Sequence, residues 1–146
     1  MTAKLIHRIA PSQVLYLEHG SARLYAEAIQ VVETRQLCWV RPTLLIQDLP
    51  IQQGDAQALA DRQVAIATAA VSPKSSNLSF YDLENCSDLI WPTAFFSIAF
   101  DVDFFALLVQ LKRCPDNGTY RSQRQLNEFV RSFWLAHQDT FMAIQV

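Results

Sequence analysis

Residues 21–46 read SARLYAEAIQVVETRQLCWVRPTLLI, two runs of strand-forming residues parted by one short polar break at 33–36. Runs of this composition, bounded by turn residues, are strands, and so short a break joins antiparallel neighbours. A hairpin of this length constrains everything else, because its faces must be buried against the rest of the chain or a partner. Ahead of it, 13–18 (QVLYLE) reads as a further strand, joined through His19-Gly20-Ser21-Ala22. Glycine at the first central position suits a type II′ turn. That turn sets Glu18 opposite Arg23 and Tyr16 opposite Tyr25, both favourable cross-strand pairs.

The long strands are expected at 22–33 and 36–46. Thr34-Arg35 would then be the turn, although both residues are poor at positive φ, so a longer loop or a bulge is the alternative. In the tight register, alternation puts Tyr16, Tyr25, Glu27, Ile29, Val31, Cys38, Val40 and Leu44 on one face. Leu15, Leu17, Leu24, Ala26, Ala28, Val32, Leu37, Trp39, Arg41 and Leu45 take the other. Pro42 lacks a backbone donor and implies a bulge or an edge there. Both faces are largely apolar, whereas a free-standing antiparallel sheet shows one polar face. The sheet is therefore expected to be covered on both sides, by its own helices and curling or by a second copy.

The remaining segments read less evenly. Asp55 is a candidate N-cap for a helix over 55–62, while 64–71 alternates in a way that fits helix or strand. Residues 78–83 and 89–91 read as short strands, the second because Pro92 pushes its predecessor toward extended geometry. Asp101 or Asp103 caps an apolar helix over 101–112, expected to be the central core helix. Pro115-Asp116-Asn117-Gly118 is a turn. Leu126, Phe129, Val130, Phe133, Trp134 and His137 follow helical spacing within a last helix over 122–139, and the apolar tail from Phe141 to Ile144 is expected to pack back. The fold class is α+β, one domain over 1–146: a twisted antiparallel β-meander of about four or five strands packed by C-terminal helices.

Composition bounds function. With 146 residues, 51% hydrophobic and only 18% charged, the chain holds a real core but has few charges to cover its surface. That shortage suggests that a partner covers part of it. A net charge of −2 with no basic cluster argues against nucleic acid as a partner. The N-terminus lacks an apolar signal core, and the apolar run 93–111 is interrupted by Asp101 and Asp103 and too short to span a bilayer. A soluble, cytoplasmic protein without a membrane span is expected.

No catalytic motif is found. Three glycines leave no room for a phosphate-binding loop, and no H-E-x-x-H or G-x-S-x-G occurs. His7, His19 and His137 stand apart, and Cys38, Cys86 and Cys114 are too dispersed for a zinc site or a disulfide framework, so no metal and no cofactor are expected. Three groupings remain. Gln30, Trp39 and Arg41 share a face, with Ala28 opposite Arg41; the Arg either holds an anion or pairs with a carboxylate of its own chain. Glu27, on the other face, is either a base in apolar surroundings or a strand-end carboxylate reaching solvent. Trp91, Phe95, Phe96, Phe100, Phe104 and Phe105 either line a pocket or are core.

The segments LCWVRPTLL (37–45) and DLIWP (88–92) resemble patterns in small uncharacterised soluble proteins of cyanobacteria. The resemblance covers about a third of the chain and implies a prokaryotic cytoplasmic setting; it carries no catalytic residues. The expected function is a non-catalytic interaction or assembly/adaptor protein, self-associating, with Trp39, Arg41, Gln30 and Glu27 as binding candidates. The alternative is a small-ligand binder or enzyme with a pocket between sheet and helices.

Overall fold

The computed structural model describes residues 9–50, 56–71, 77–99, 103–113 and 119–144. It is an α+β fold in which a six-stranded antiparallel sheet carries helices on both faces. The first strands are β1 (Val14–His19), β2 (Ala22–Val32) and β3 (Leu37–Gln47). Helix α1 (Ala56–Val71) follows, then β4 (Ser79–Asp82), β5 (Leu89–Pro92) and β6 (Ser97–Ile98). Helices α2 (Asp103–Arg113), α3 (Thr119–Ala136) and α4 (Gln138–Ile144) complete the described order. The path through the sheet is β4-β3-β2-β1-β6, and β5 also pairs with β3. The far edge of β3 is thus shared in tandem: β5 lies along Leu37–Val40 and β4 along Leu44–Gln47.

The first hairpin follows the expected register, with Glu18 opposite Arg23 and Tyr16 opposite Tyr25. Gly20 takes φ +61 while Ser21 does not turn positive, as a type II′ turn requires. The second hairpin departs from the tight register. Its connection is a 3-10 turn, Glu33–Arg35, closed by Gln36 at φ +55, so four residues replace the two-residue turn that Thr34 and Arg35 disfavour.

Two bulges then redistribute the faces. Ile29 is an extra residue between the pairs Ala28–Val40 and Gln30–Trp39, and Thr43 is extra between Ala26–Pro42 and Tyr25–Leu44. Proline at 42 donates no ladder hydrogen bond, which is where a bulge is tolerated, and the Thr43 hydroxyl donates to the Tyr25 carbonyl at 3.0 Å. Cys38 and Val40 therefore join the Leu15, Leu17, Leu24 and Ala26 face, with Val31 packed against it, rather than the Tyr25 face expected for them. Glu27 stands opposite Arg41, and Ala28 opposite Val40. The expectation that Glu27 lies across the sheet from Trp39 and Arg41 is corrected: all three are on one side, with Gln30.

Each face has its own core. On the first, Leu126, Phe129 and Phe133 of α3 pack over Leu15, Leu17, Leu24, Ala26, Val40 and Trp91, and Phe141 of α4 joins them. On the second, Ile66, Ala69 and Ala70 of α1 and Phe104 and Leu107 of α2 pack over Tyr25, Leu44 and Ile46. The chain's own helices thus cover the sheet over most of its extent.

Several expectations shift for definable reasons. Helix α1 runs on through 64–71, where Ile66, Ala69 and Ala70 supply a buried stripe. Helix α2 is not an all-round buried core helix; Phe104, Leu107, Leu108 and Leu111 face the sheet side while Phe105 and Val109 are exposed. The last helix divides at His137, whose amide and ring Nδ1 both meet the Phe133 carbonyl, at 3.1 and 2.9 Å. Trp134 leaves the expected stripe for the exposed flank. Trp91, Phe95 and Phe96 belong to the core, as the simpler reading had it. The Asp55 and Asp101 caps, Phe100, Cys114, His7 and the 115–118 turn lie outside the described residues.

If the α1–α2 layer and the α3 layer depend on one sheet, truncation on either face is costly. Leu44→Ala and Leu24→Ala should each lower unfolding free energy by about 2–5 kcal/mol, measured by urea denaturation.

Candidate functional site

Among the described residues, the helix layer on the second face stops short of one end of the sheet. Arg23 marks the covered end. Its guanidinium is buried, ion-paired to Glu18 at 2.6 Å, hydrogen-bonded to the Tyr25 hydroxyl at 3.1 Å and stacked 4.4 Å over the Tyr16 ring. Burial by itself would lower the Arg23 pKa, but Tyr25 and Glu18 outweigh it and the value rises. Glu18 also accepts from Arg62 of α1 at 3.2 Å, and Arg62 donates to the Pro50 carbonyl at 2.8 Å. This network ties α1 to the first hairpin. The Glu18–Arg23 pair is readable from the turn; Arg62, far away in sequence, is not.

At the other end, beyond Tyr25 and Leu44, the same face carries Glu27 opposite Arg41 and then Gln30 opposite Trp39. Ile90 of β5 stands opposite Trp39 and is exposed. One carboxylate organises this end. The Trp39 indole N–H donates to Asp88 Oδ2 at 2.9 Å, and Arg41 Nε donates to Asp88 Oδ1 at 3.3 Å. The Arg is thus paired within its own chain, as the simpler expectation had it, yet its side chain remains half exposed. Two stretches of the sequence meet here, since 37–40 of β3 pairs directly with β5. Nothing in the local sequence marks Asp88 as a site residue except its position just ahead of the strand LIWP.

Between this end and α2 lies a half-open cleft of about 230 Å³, with Glu27, Arg41, Thr43, Asp82, Glu84 and Leu108 in its walls. Glu27 and Arg41, assigned to opposite faces from the sequence alone, converge there because of the Ile29 bulge. The cleft is smaller than the roughly 300–1,000 Å³ usual for small-molecule sites and not enclosed. Gln30 and Trp39 lie outside it, so the four candidates share a face without sharing a pocket.

On the first face, His19 and His137 come within 6.3 Å between ring centres, and His137 stacks on Phe133 at 4.2 Å. These rings extend the aromatic core rather than form a ligand set. Among the described residues, no three His, Cys, Asp or Glu side chains are grouped to hold a metal. Among the same residues, no helix is long and apolar enough to cross a membrane. No protein family, curated protein or solved structure matches the chain.

Two outcomes test this geometry. Asp88→Ala should cost no more than about 1 kcal/mol, because the bonds it makes are partly solvated, while shifting the Trp39 contribution to indole fluorescence. Burial raises the Cys38 pKa, and burial with the nearby Asp82 charge raises that of Cys86. Each thiol then holds less thiolate at a given pH than a free cysteine. Peptide mapping after alkylation near pH 8 should find both labelled more slowly in the native than in the unfolded protein.

Proposed function

We propose that this protein is a non-catalytic interaction or assembly protein that engages a partner protein at the open end of its sheet and also self-associates. The observation that carries the reading is the Trp39–Asp88–Arg41 constellation beside exposed Ile90. Tryptophan and arginine are the side chains that most often dominate binding energy at interfaces. Here a shared carboxylate holds both in place before any partner arrives, which lowers the entropy lost on docking.

The chemistry of the surface defines the partner segment. Arg41 meets Asp88 through Nε, which leaves its terminal nitrogens to receive a carboxylate of the partner. Trp39 and Ile90 would receive an apolar side chain. The net charge of −2 disfavours nucleic acid in this place.

A second reading is a small ligand held in the cleft between sheet and α2, and the convergence of Glu27 and Arg41 favours it. The cleft's size suits a small polar group more than a drug-sized molecule.

Native mass spectrometry of protein purified gently from its host tests both. A copurifying protein is expected with the wild type and should be lost with Trp39→Ala or Arg41→Ala, each checked for folding by circular dichroism. Retention by both variants would dismiss the sheet end as the site. A bound small mass lost with Arg41→Ala and Glu27→Gln would transfer the assignment to the cleft.

A further inference from the structure

Opposite charges that stand directly across a β-ladder ordinarily pair with each other. Glu27 and Arg41 face each other on the β2–β3 ladder and both line the cleft beside α2, yet they form no ion pair together. Arg41 is drawn the other way, its Nε donating to Asp88 Oδ1 at 3.3 Å. Glu27, half-buried, makes no hydrogen bond and no ion pair among the described residues. Nothing described in the fold offsets the partial desolvation of that carboxylate. Its neighbours in the wall are better served. Asp82 Oδ1 accepts the Glu84 amide at 2.9 Å, and the Thr43 hydroxyl donates to the Tyr25 carbonyl at 3.0 Å.

The cleft therefore has two poles, the Glu27 carboxylate and the terminal nitrogens of Arg41, held apart by Asp88. Charge selects what fits between them. A simple anion on Arg41 would share the cleft with the carboxylates of Glu27, Asp82 and Glu84, and a simple cation on Glu27 would share it with Arg41. A molecule that carries both charges meets a complementary group at each end.

Hydrogen bonding narrows the class. A carboxylate only accepts and a guanidinium only donates. The cationic end of the ligand must then bring N–H groups, as a primary ammonium does and a quaternary one does not. The anionic end must accept paired N–H bonds, as a carboxylate does. Thr43, its proton given to Tyr25, keeps lone pairs for the same ammonium. Pro42 and Leu108 offer apolar contact to whatever lies between the charges, and the volume of about 230 Å³ keeps it small.

We infer that this cleft binds a small α-amino acid, with its ammonium on Glu27 and its carboxylate on Arg41. The inference rests on the small-ligand reading above and names the ligand. A carboxylate on Arg41 is common to both readings; the ammonium on Glu27 is what this one adds. A ligand of this size in a half-open site binds weakly, since each of its few atoms contributes only a limited share of affinity.

Two-dimensional NMR of the ¹⁵N-labelled protein, titrated with glycine, L-alanine and L-serine to about 50 mM, well above a millimolar Kd, tests it. Saturable shifts at the Glu27, Thr43 and Leu108 amides are expected with at least one of the three. Acetate, methylammonium and glycine betaine each lack one of the charge-assisted bonds and should bind about tenfold more weakly or worse. Glu27→Gln and Arg41→Gln, each checked for folding by circular dichroism, should abolish the saturation. Acetate or betaine binding as tightly as the amino acid would overturn the ammonium contact while leaving a small-ligand cleft standing. Saturation that survives both substitutions would overturn the cleft itself. No saturation with any of these compounds would overturn the inference, and a bound mass in native mass spectrometry that is lost with Glu27→Gln would then keep the cleft for a different ligand.

Discussion

The ladder between β2 and β3 decides where every other part of the molecule can go. It is the longest pairing in the sheet, and its two extra residues, Ile29 and Thr43, act as hinges in side-chain direction rather than in backbone path. Each inserts one residue into one strand, so alternation resumes on the opposite face beyond it. Between them the face carrying Ala26, Ala28 and Val40 is kept small and apolar for α3, while Glu27 and Arg41 are turned out from under the helices. Without the bulges, Cys38 and Val40 would be carried out of the core that α3 covers, and Trp39 and Arg41 would be forced into it.

Polar anchors then fix what the apolar layers leave undetermined. Burial of Ile66, Ala69 and Ala70 holds α1 on the sheet without specifying its rotation tightly, because alanines offer little shape. Arg62 supplies the missing specification by reaching Glu18 and the Pro50 carbonyl together. At the other end, Asp88 plays a corresponding part in the sheet itself, linking β3 to the lead-in of β5 through Trp39 and Arg41. The two anchors differ in environment. Glu18 and Arg23 are largely buried, where loss of one partner strands a charge; Asp88 and Arg41 meet water, where the bond organises more than it stabilises.

Much of this was legible in the residues. Glycine 20 and the pairs flanking it specify the first hairpin, the spacing of Leu126, Phe129, Val130 and Phe133 specifies α3, and Pro42 signals an irregularity beside it. What was not legible follows from one property of strands. Their period is two, so a single unrecognised extra residue inverts every later assignment, and Ile29 looks like any other strand residue. Glu27 was consequently separated from Arg41, although the two line one cleft. The second half of helix α1 is not legible in the sequence, because its run of alanine and valine satisfies both periods and only contact with the sheet decides between them. The Asp88 bridge joins residues 47 and 49 positions apart, a distance over which local pattern carries no information.

The tandem sharing of the far edge of β3 has a dynamic consequence. Among the described residues β3 alone has strand neighbours along both edges at each of its ends, whereas β4 and β5 each join the sheet by a four-residue pairing with β3 and no other strand. Opening of one need not disturb the other, so the edge can breathe in two independent pieces, while release of the β3 amides requires the sheet to come apart. The molecule therefore combines a slow-exchanging spine with a margin that opens in halves, and the half formed by β5 is the one that bears Ile90 beside Trp39.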